Sequence, residues 1–124
     1  ELPQGKNEVV MNGAKVLTFA MSIVPDNVRM LLKKTKININ KIDMFIFHQA
    51  SKYILENINR KLSIPKHKTF ENYARVGNTI SASIPLALKH GSKKKIKINH
   101  KIIVAGYGVG LSWGSAIIKW GKIK

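Results

Sequence analysis

Met44-Phe-Ile-Phe-His-Gln-Ala-Ser51 decides how the rest of the chain is read. Four apolar residues in a row, after Asp43 and before a polar group, are the mark of a short strand buried on both faces. His48 stands where that strand ends, and Ser51 is placed to cap a following helix. In open α/β sheets, ligands gather just outside the carboxyl ends of strands. A histidine there is positioned for chemistry; the alternative is a packed histidine with a backbone partner.

Downstream, Ser51 to Leu62 reads as an amphipathic helix. Ile54, Leu55, Ile58 and Leu62 lie on one face, with Lys52, Glu56, Arg60 and Lys61 elsewhere. Ser63-Ile-Pro65 stops it, and Thr69-Phe-Glu71 is expected as a further short strand. Upstream, Val16, Leu17, Ala20, Ile23 and Val24, then Val28, Leu31 and Leu32, give helical spacing from Ala14 to about Lys34. Pro25 lacks the donor that a helix interior needs, so a kink or break is expected there. Asp26 then favours the start of the second half by its charge, and Lys33-Lys34 with Lys36 suits the C-terminal end. Residues 1–13 are polar, carry Pro3 and Gly5, and read as a linker or truncation remnant before a domain over 14–124. Val16 to Val24, preceded by Lys15, resembles a short signal core. No small-residue cleavage pattern follows, so it reads as a core helix.

Beyond the central stretch, Gly77-Asn78 makes a sharp turn into a helix from Thr79 to Lys89. Ser81, Ala82, Ser83 and Ala87 give that helix little bulk, as suits close approach to another backbone, and His90-Gly91 ends it as a C-cap. Ile102-Ile-Val-Ala105 is a second buried strand, and Leu111 to Trp120 a last one. The glycines of Gly106-Tyr-Gly-Val-Gly110 do not form a nucleotide loop, because no Gly-Lys-Ser/Thr follows and no helix starts there. They point instead to close backbone approach or positive φ. Helices alternating with apolar strands make the class α/β.

With 124 residues and 44% hydrophobic content the chain suffices for one domain with a real core. It holds no cysteine, which rules out a disulfide framework, a thiolate metal site and a Cys nucleophile within these residues. A reducing compartment, the cytoplasm, is the corresponding expectation. No segment is apolar enough to span a membrane. Twenty-two basic residues against six acidic ones give a net charge of +16, which calls for an acidic partner or reflects a lysine-rich compositional drift. Arginine is scarce, and no aromatic is interleaved with Lys93-Lys94-Lys95 and Lys97. A groove that reads bases or stacks on them is therefore not expected. His67, His90 and His100 match no metal template and read as surface residues.

His48-Gln49-Ala50, Gly77-Asn78-Thr79 with Ser81-Ala82-Ser83-Ile84-Pro85, and a Gly-rich turn followed by Trp113-Gly114 occur in this order. From about Met11 to Trp120 the chain resembles the C-terminal part of β-ketoacyl-acyl carrier protein synthase III, of the thiolase-like superfamily. The resemblance implies a mixed sheet with packed helices, incomplete relative to the full enzyme. It also implies decarboxylative Claisen condensation of acyl-CoA with malonyl-acyl carrier protein in fatty acid or related biosynthesis, with no cofactor and no metal. His48 and Asn78 would hydrogen-bond the malonyl thioester carbonyl, and Gly110 would offer its backbone N–H to the oxyanion beside the cysteine. That cysteine belongs to an N-terminal half absent here, which leaves this chain inactive alone. Full-length members are homodimers.

The chain departs from the family pattern in places. Ser51 replaces an Asn, Tyr53 stands where a docking arginine is common, and Val109 is the middle residue of the terminal glycine triplet. Ser51 and Lys52 are the candidate contacts for the carrier protein or CoA, and the positive charge suits an acidic acyl carrier protein. Two other functions compete: a related condensing enzyme making an ester, amide or unusual ketide, and a basic module binding nucleic acid or anionic lipid.

Overall fold

The computed structural model describes residues 12–122. Of the expected linker, residues 1–11 lie outside the described ones; Asn12 and Gly13 already belong to the first helix, α1 (Gly13–Thr35), which Asn12 caps through its side chain. Strand β1 (Met44–Phe47) follows a 3₁₀ turn, then α2 (Lys52–Lys61), a short α3 (Tyr73–Val76), α4 (Ser83–Ser92), β2 (Lys101–Gly108) and β3 (Ser112–Lys119). The sheet is mixed, in the order β1-β2-β3, with β1 parallel to β2 and β3 antiparallel to it.

β1 is apolar at every position and is covered on both faces. Phe45 and Phe47, with Ile103 and Ala105 of β2, face Ala20, Val24 and Val28 of α1 and Ile54, Leu55 and Ile58 of α2. Met44, Ile46 and Ile102 turn the other way, against Phe70, Ala87 and Ile96. Successive strand residues thus serve opposite cores. Full burial of a side chain such as Phe47 contributes about 1.5–3 kcal/mol.

Of the kink or break expected at Pro25, there is no break: α1 runs through it, with Pro25 buried. The carbonyl its missing N–H would have engaged, that of Met21, accepts instead from Lys61 Nζ at 2.9 Å. Arg29 reinforces the same junction, donating to Lys61 O at 2.7 Å and to Asp26 at 2.9 Å.

Thr69-Phe-Glu71 forms no strand; only Thr69 bridges to Phe45. The segment after Gly77 is a 3₁₀ turn, Ile80–Ala82, followed by α4, and not one helix. Nor does Gly91 cap α4. It lies inside the helix, where an added Cβ would come within 2.9 Å of Ile96 Cδ1 and 3.4 Å of Phe70. Ser83, Ala87 and Gly91 form the buried edge of α4, as their small size predicts. Strand β3 occupies the sheet edge and is correspondingly exposed. None of the helices in the described residues is long and apolar enough to cross a membrane.

Candidate active site

His48 is the first residue beyond β1, and its backbone N–H continues the parallel ladder to Ala105 O at 2.9 Å. This puts the imidazole at the carboxyl end of the parallel pair. The ring is half-buried and makes a T-shaped contact with Tyr107 of β2, the centroids 5.1 Å apart and the planes at 86°. Burial lowers its pKa, which favours the neutral ring. Nδ1 lies 2.6 Å from Ser83 Oγ at the start of α4. Nε2 makes no hydrogen bond among the described residues and is not sealed from solvent.

Gln49 ties down the strand end. It is wholly buried; Nε2 donates to Phe47 O at 2.8 Å and Oε1 accepts from Asn72 N at 2.6 Å. Asn72 in turn pairs with His90 through Nδ2 and Nδ1 at 2.9 Å, so His90 is a structural partner and not a bare surface residue. The latch ties the end of β1 to the segment that leads to Gly77 and Asn78.

Gly77 ends α3 with φ +68°, a conformation open to glycine, and its N–H returns to Tyr73 O at 2.8 Å. Asn78 is exposed, and its Oδ1 accepts from Ile80 N at 3.0 Å. That bond supports Ile80 at φ +52°, where a β-branched residue is strained by about 1–2 kcal/mol. With the amide oxygen engaged, the Nδ2 donors of Asn78 make no hydrogen bond among the described residues. Thr79 Oγ1 and Tyr107 OH are buried without a partner among the described residues. Burial pushes the Tyr107 hydroxyl far above its ordinary pKa, so it stays protonated.

Gly110 lies in the turn between β2 and β3 at φ +142°, where a Cβ would clash with Ser112 Oγ. It shares the carboxyl end with His48, three residues beyond Tyr107. Ser51 caps α2, accepting from Ile54 N at 3.3 Å, and Lys52 makes an exposed pair with Glu56 at 3.8 Å. The closest partners of His48 are therefore Ser83 and Tyr107, neither of which stood out as a site residue in the sequence. No hydrogen bond joins His48 to Asn78 or Gly110 among the described residues. Asn78 stands five residues before Ser83 in the chain.

Residues 32–120 match the family described as 3-oxoacyl-[acyl-carrier-protein (ACP)] synthase III C terminal. The beta-ketoacyl-[acyl-carrier-protein] synthase III of Trichormus variabilis is 44% identical over 115 residues, which cover 92% of this chain and 35% of that protein. A chloroplastic synthase III B of Cuphea wrightii is 41% identical over 114 residues, 91% of this chain and 28% of the relative. The solved 3-oxoacyl-(acyl carrier protein) synthase III of Pseudomonas aeruginosa PAO1 superposes with a TM-score of 0.89 at 33% identity, over 98% of this chain and 39% of that one. The chain spans about a third of the length of the curated relatives it matches. The sheet with its packed helices agrees with these structures. The chain belongs to the 3-oxoacyl-acyl carrier protein synthase III family, of which it represents the C-terminal part.

Proposed function

We propose that this chain supplies the enolate-stabilising part of a decarboxylative condensing enzyme, its cysteine nucleophile coming from the portion of the relatives that it does not span. The acyl group of acyl-CoA passes to that thiol. Malonyl-acyl carrier protein then loses CO₂, and the electron pair of the broken C–C bond moves onto the thioester oxygen. His48 and Asn78 donate hydrogen bonds to this oxygen from Nε2 and Nδ2. The carbanion attacks the acyl thioester, the backbone N–H of Gly110 steadies the resulting oxyanion, and the cysteine thiolate leaves. Fixed donors aimed at developing charge are worth more in the transition state than in the ground state.

The observation that carries this reading is the polarity of the two side chains. A neutral, half-buried His48 keeps Nε2 unengaged at the strand end, and Asn78 spends its oxygen on Ile80 N. The 3₁₀ turn spans about 6 Å and two further residues at most about 7 Å, so Asn78 lies within about 13 Å of Ser83 along the chain. Ser51 and Lys52, at the start of α2 and next to His48, are placed to meet the carrier protein or CoA. The positive charge favours encounter with an acidic carrier. We place the working enzyme, a homodimer, in a reducing compartment, the cytoplasm or a plastid.

The test uses the full-length polypeptide with radiolabelled malonyl-acyl carrier protein. His48→Ala and Asn78→Ala should each slow decarboxylation about 10²–10³-fold, while acylation of the cysteine persists. Unchanged decarboxylation in both variants would remove the proposal.

A further inference from the structure

We infer that Ser83 is a positioning residue, whose hydroxyl donates to Nδ1 of His48 and so holds the imidazole in the Nε2–H tautomer. The inference deepens the role proposed above for His48 and rests on it, although the tautomer itself can be measured without any reaction.

Two polarities are compatible with a 2.6 Å separation: Nδ1–H donating to Oγ, or Oγ–H donating to Nδ1. The surroundings of Ser83 decide between them. Ser83 is 1% exposed, and its Oγ makes no other hydrogen bond among the described residues. If Nδ1 carried the proton, the serine hydroxyl would be a buried donor with no acceptor, which folded proteins avoid. If the hydroxyl donates, both groups are satisfied, and the ring proton must sit on Nε2. The hydrogen bond of one ring nitrogen thereby sets the state of the other.

Packing keeps the pair in register. Ser83 shares the buried edge of α4 with Ala87 and Gly91, and their small size lets the helix approach β1 closely enough for a short side chain to reach the ring. Tyr107 packs against the same ring in a T-shaped contact. The Nε2–H tautomer is the one a donor to a thioester oxygen requires, since the other form would present a lone pair to developing negative charge.

The experiment is a long-range ¹H–¹⁵N correlation of the His48 ring in the full-length polypeptide labelled with ¹⁵N-histidine, before and after Ser83→Ala and Ser83→Thr. The expected wild-type pattern is a protonated Nε2 and a bare, hydrogen-bonded Nδ1. The alanine variant should show averaged shifts from both tautomers, and the threonine variant, which keeps the hydroxyl, should restore the single form. In the same polypeptide the alanine variant should lose about five- to tenfold in kcat with KM unchanged, the effect of one ordinary hydrogen bond. A proton on Nδ1 in the wild type overturns the inference, whatever the variants do. So does an unaltered tautomer or an unaltered kcat in Ser83→Ala. Loss of decarboxylation in His48→Ala together with a proton on Nδ1 would retain the proposed function and reject only the role of Ser83.

Discussion

Replacing Gln49 by glutamate alters the hydrogen-bonding character of one buried atom while keeping the shape of the side chain. Gln49 is wholly buried, donating to Phe47 O at 2.8 Å and accepting from Asn72 N at 2.6 Å. A carboxyl group reproduces both bonds only when protonated, with one oxygen accepting from Asn72 and the hydroxyl donating to Phe47. Ionised, it sets a charged oxygen against a carbonyl oxygen in a buried site. The folded pKa must rise well above the unfolded value of about 4.3. The folded state then binds more protons than the unfolded one, so the variant matches the wild type at low pH and loses stability as pH rises. Holding that proton costs about 1.6 kcal/mol at pH 5.5 and about 3.7 kcal/mol at pH 7.

Urea unfolding of both proteins at pH 4, 5.5 and 7, at matched ionic strength, measures the difference directly. The expected trend is a gap that opens by about 1.4 kcal/mol per pH unit above 4.3. General attraction of a new carboxylate to a chain of charge +16 would act in the opposite direction. A gap independent of pH, or a variant more stable at pH 7 than at pH 4, would therefore refute the latch.

Two further perturbations address the packing. Lys61→Met should cost about 1 kcal/mol in the wild type and almost nothing in a Pro25→Ala background, where the restored backbone N–H reclaims Met21 O; additive effects in the double-mutant cycle would disprove the exchange of partners. Gly91→Val should lower stability by about 1–3 kcal/mol through its clash with Ile96 and Phe70, and a melting temperature equal to or above that of the wild type would contradict it.

How far the sequence could be read depended on the range of the interactions involved. β1 and its terminal His48 were legible because burial on both faces leaves a run with no alternation. The bounds of α2 were legible because Ser51 satisfies an N–H only three residues away. The continuity of α1 was not, because the group that compensates Pro25 lies on another helix, at Lys61. Gln49 stood in plain view within the His-Gln-Ala motif, yet nothing local marks it as wholly buried; its partner Asn72 arrives only with the tertiary fold. Gly91 occupied the place where a C-cap was expected, but the constraint comes from Ile96 and Phe70 packing against the helix. Ser83 could have been noticed as a polar residue on the small-residue edge of α4, although only coordinates connect it with His48.

On the proposed role, the apolar residues around the donors matter as much as the donors do. Ile80 next to Asn78, and Val109 and Leu111 flanking Gly110, are exposed by 76%, 97% and 55%. A hydrogen bond to an enolate oxygen is weakest where water competes for the same oxygen. Moving the pair from an effective dielectric of about 80 to about 20 strengthens the charge interaction roughly fourfold. Water standing over Ile80, Val109 and Leu111 denies the site that gain, whereas a covered rim would secure it without moving His48 or Asn78. The donors are already oriented by Ser83, Ile80 N and the Gln49 latch. Orientation is thus provided by contacts within this chain, and dryness has to be supplied by whatever closes over it. On this argument the proposed pair, oriented but wet, would stabilise an enolate only weakly unless its rim is covered.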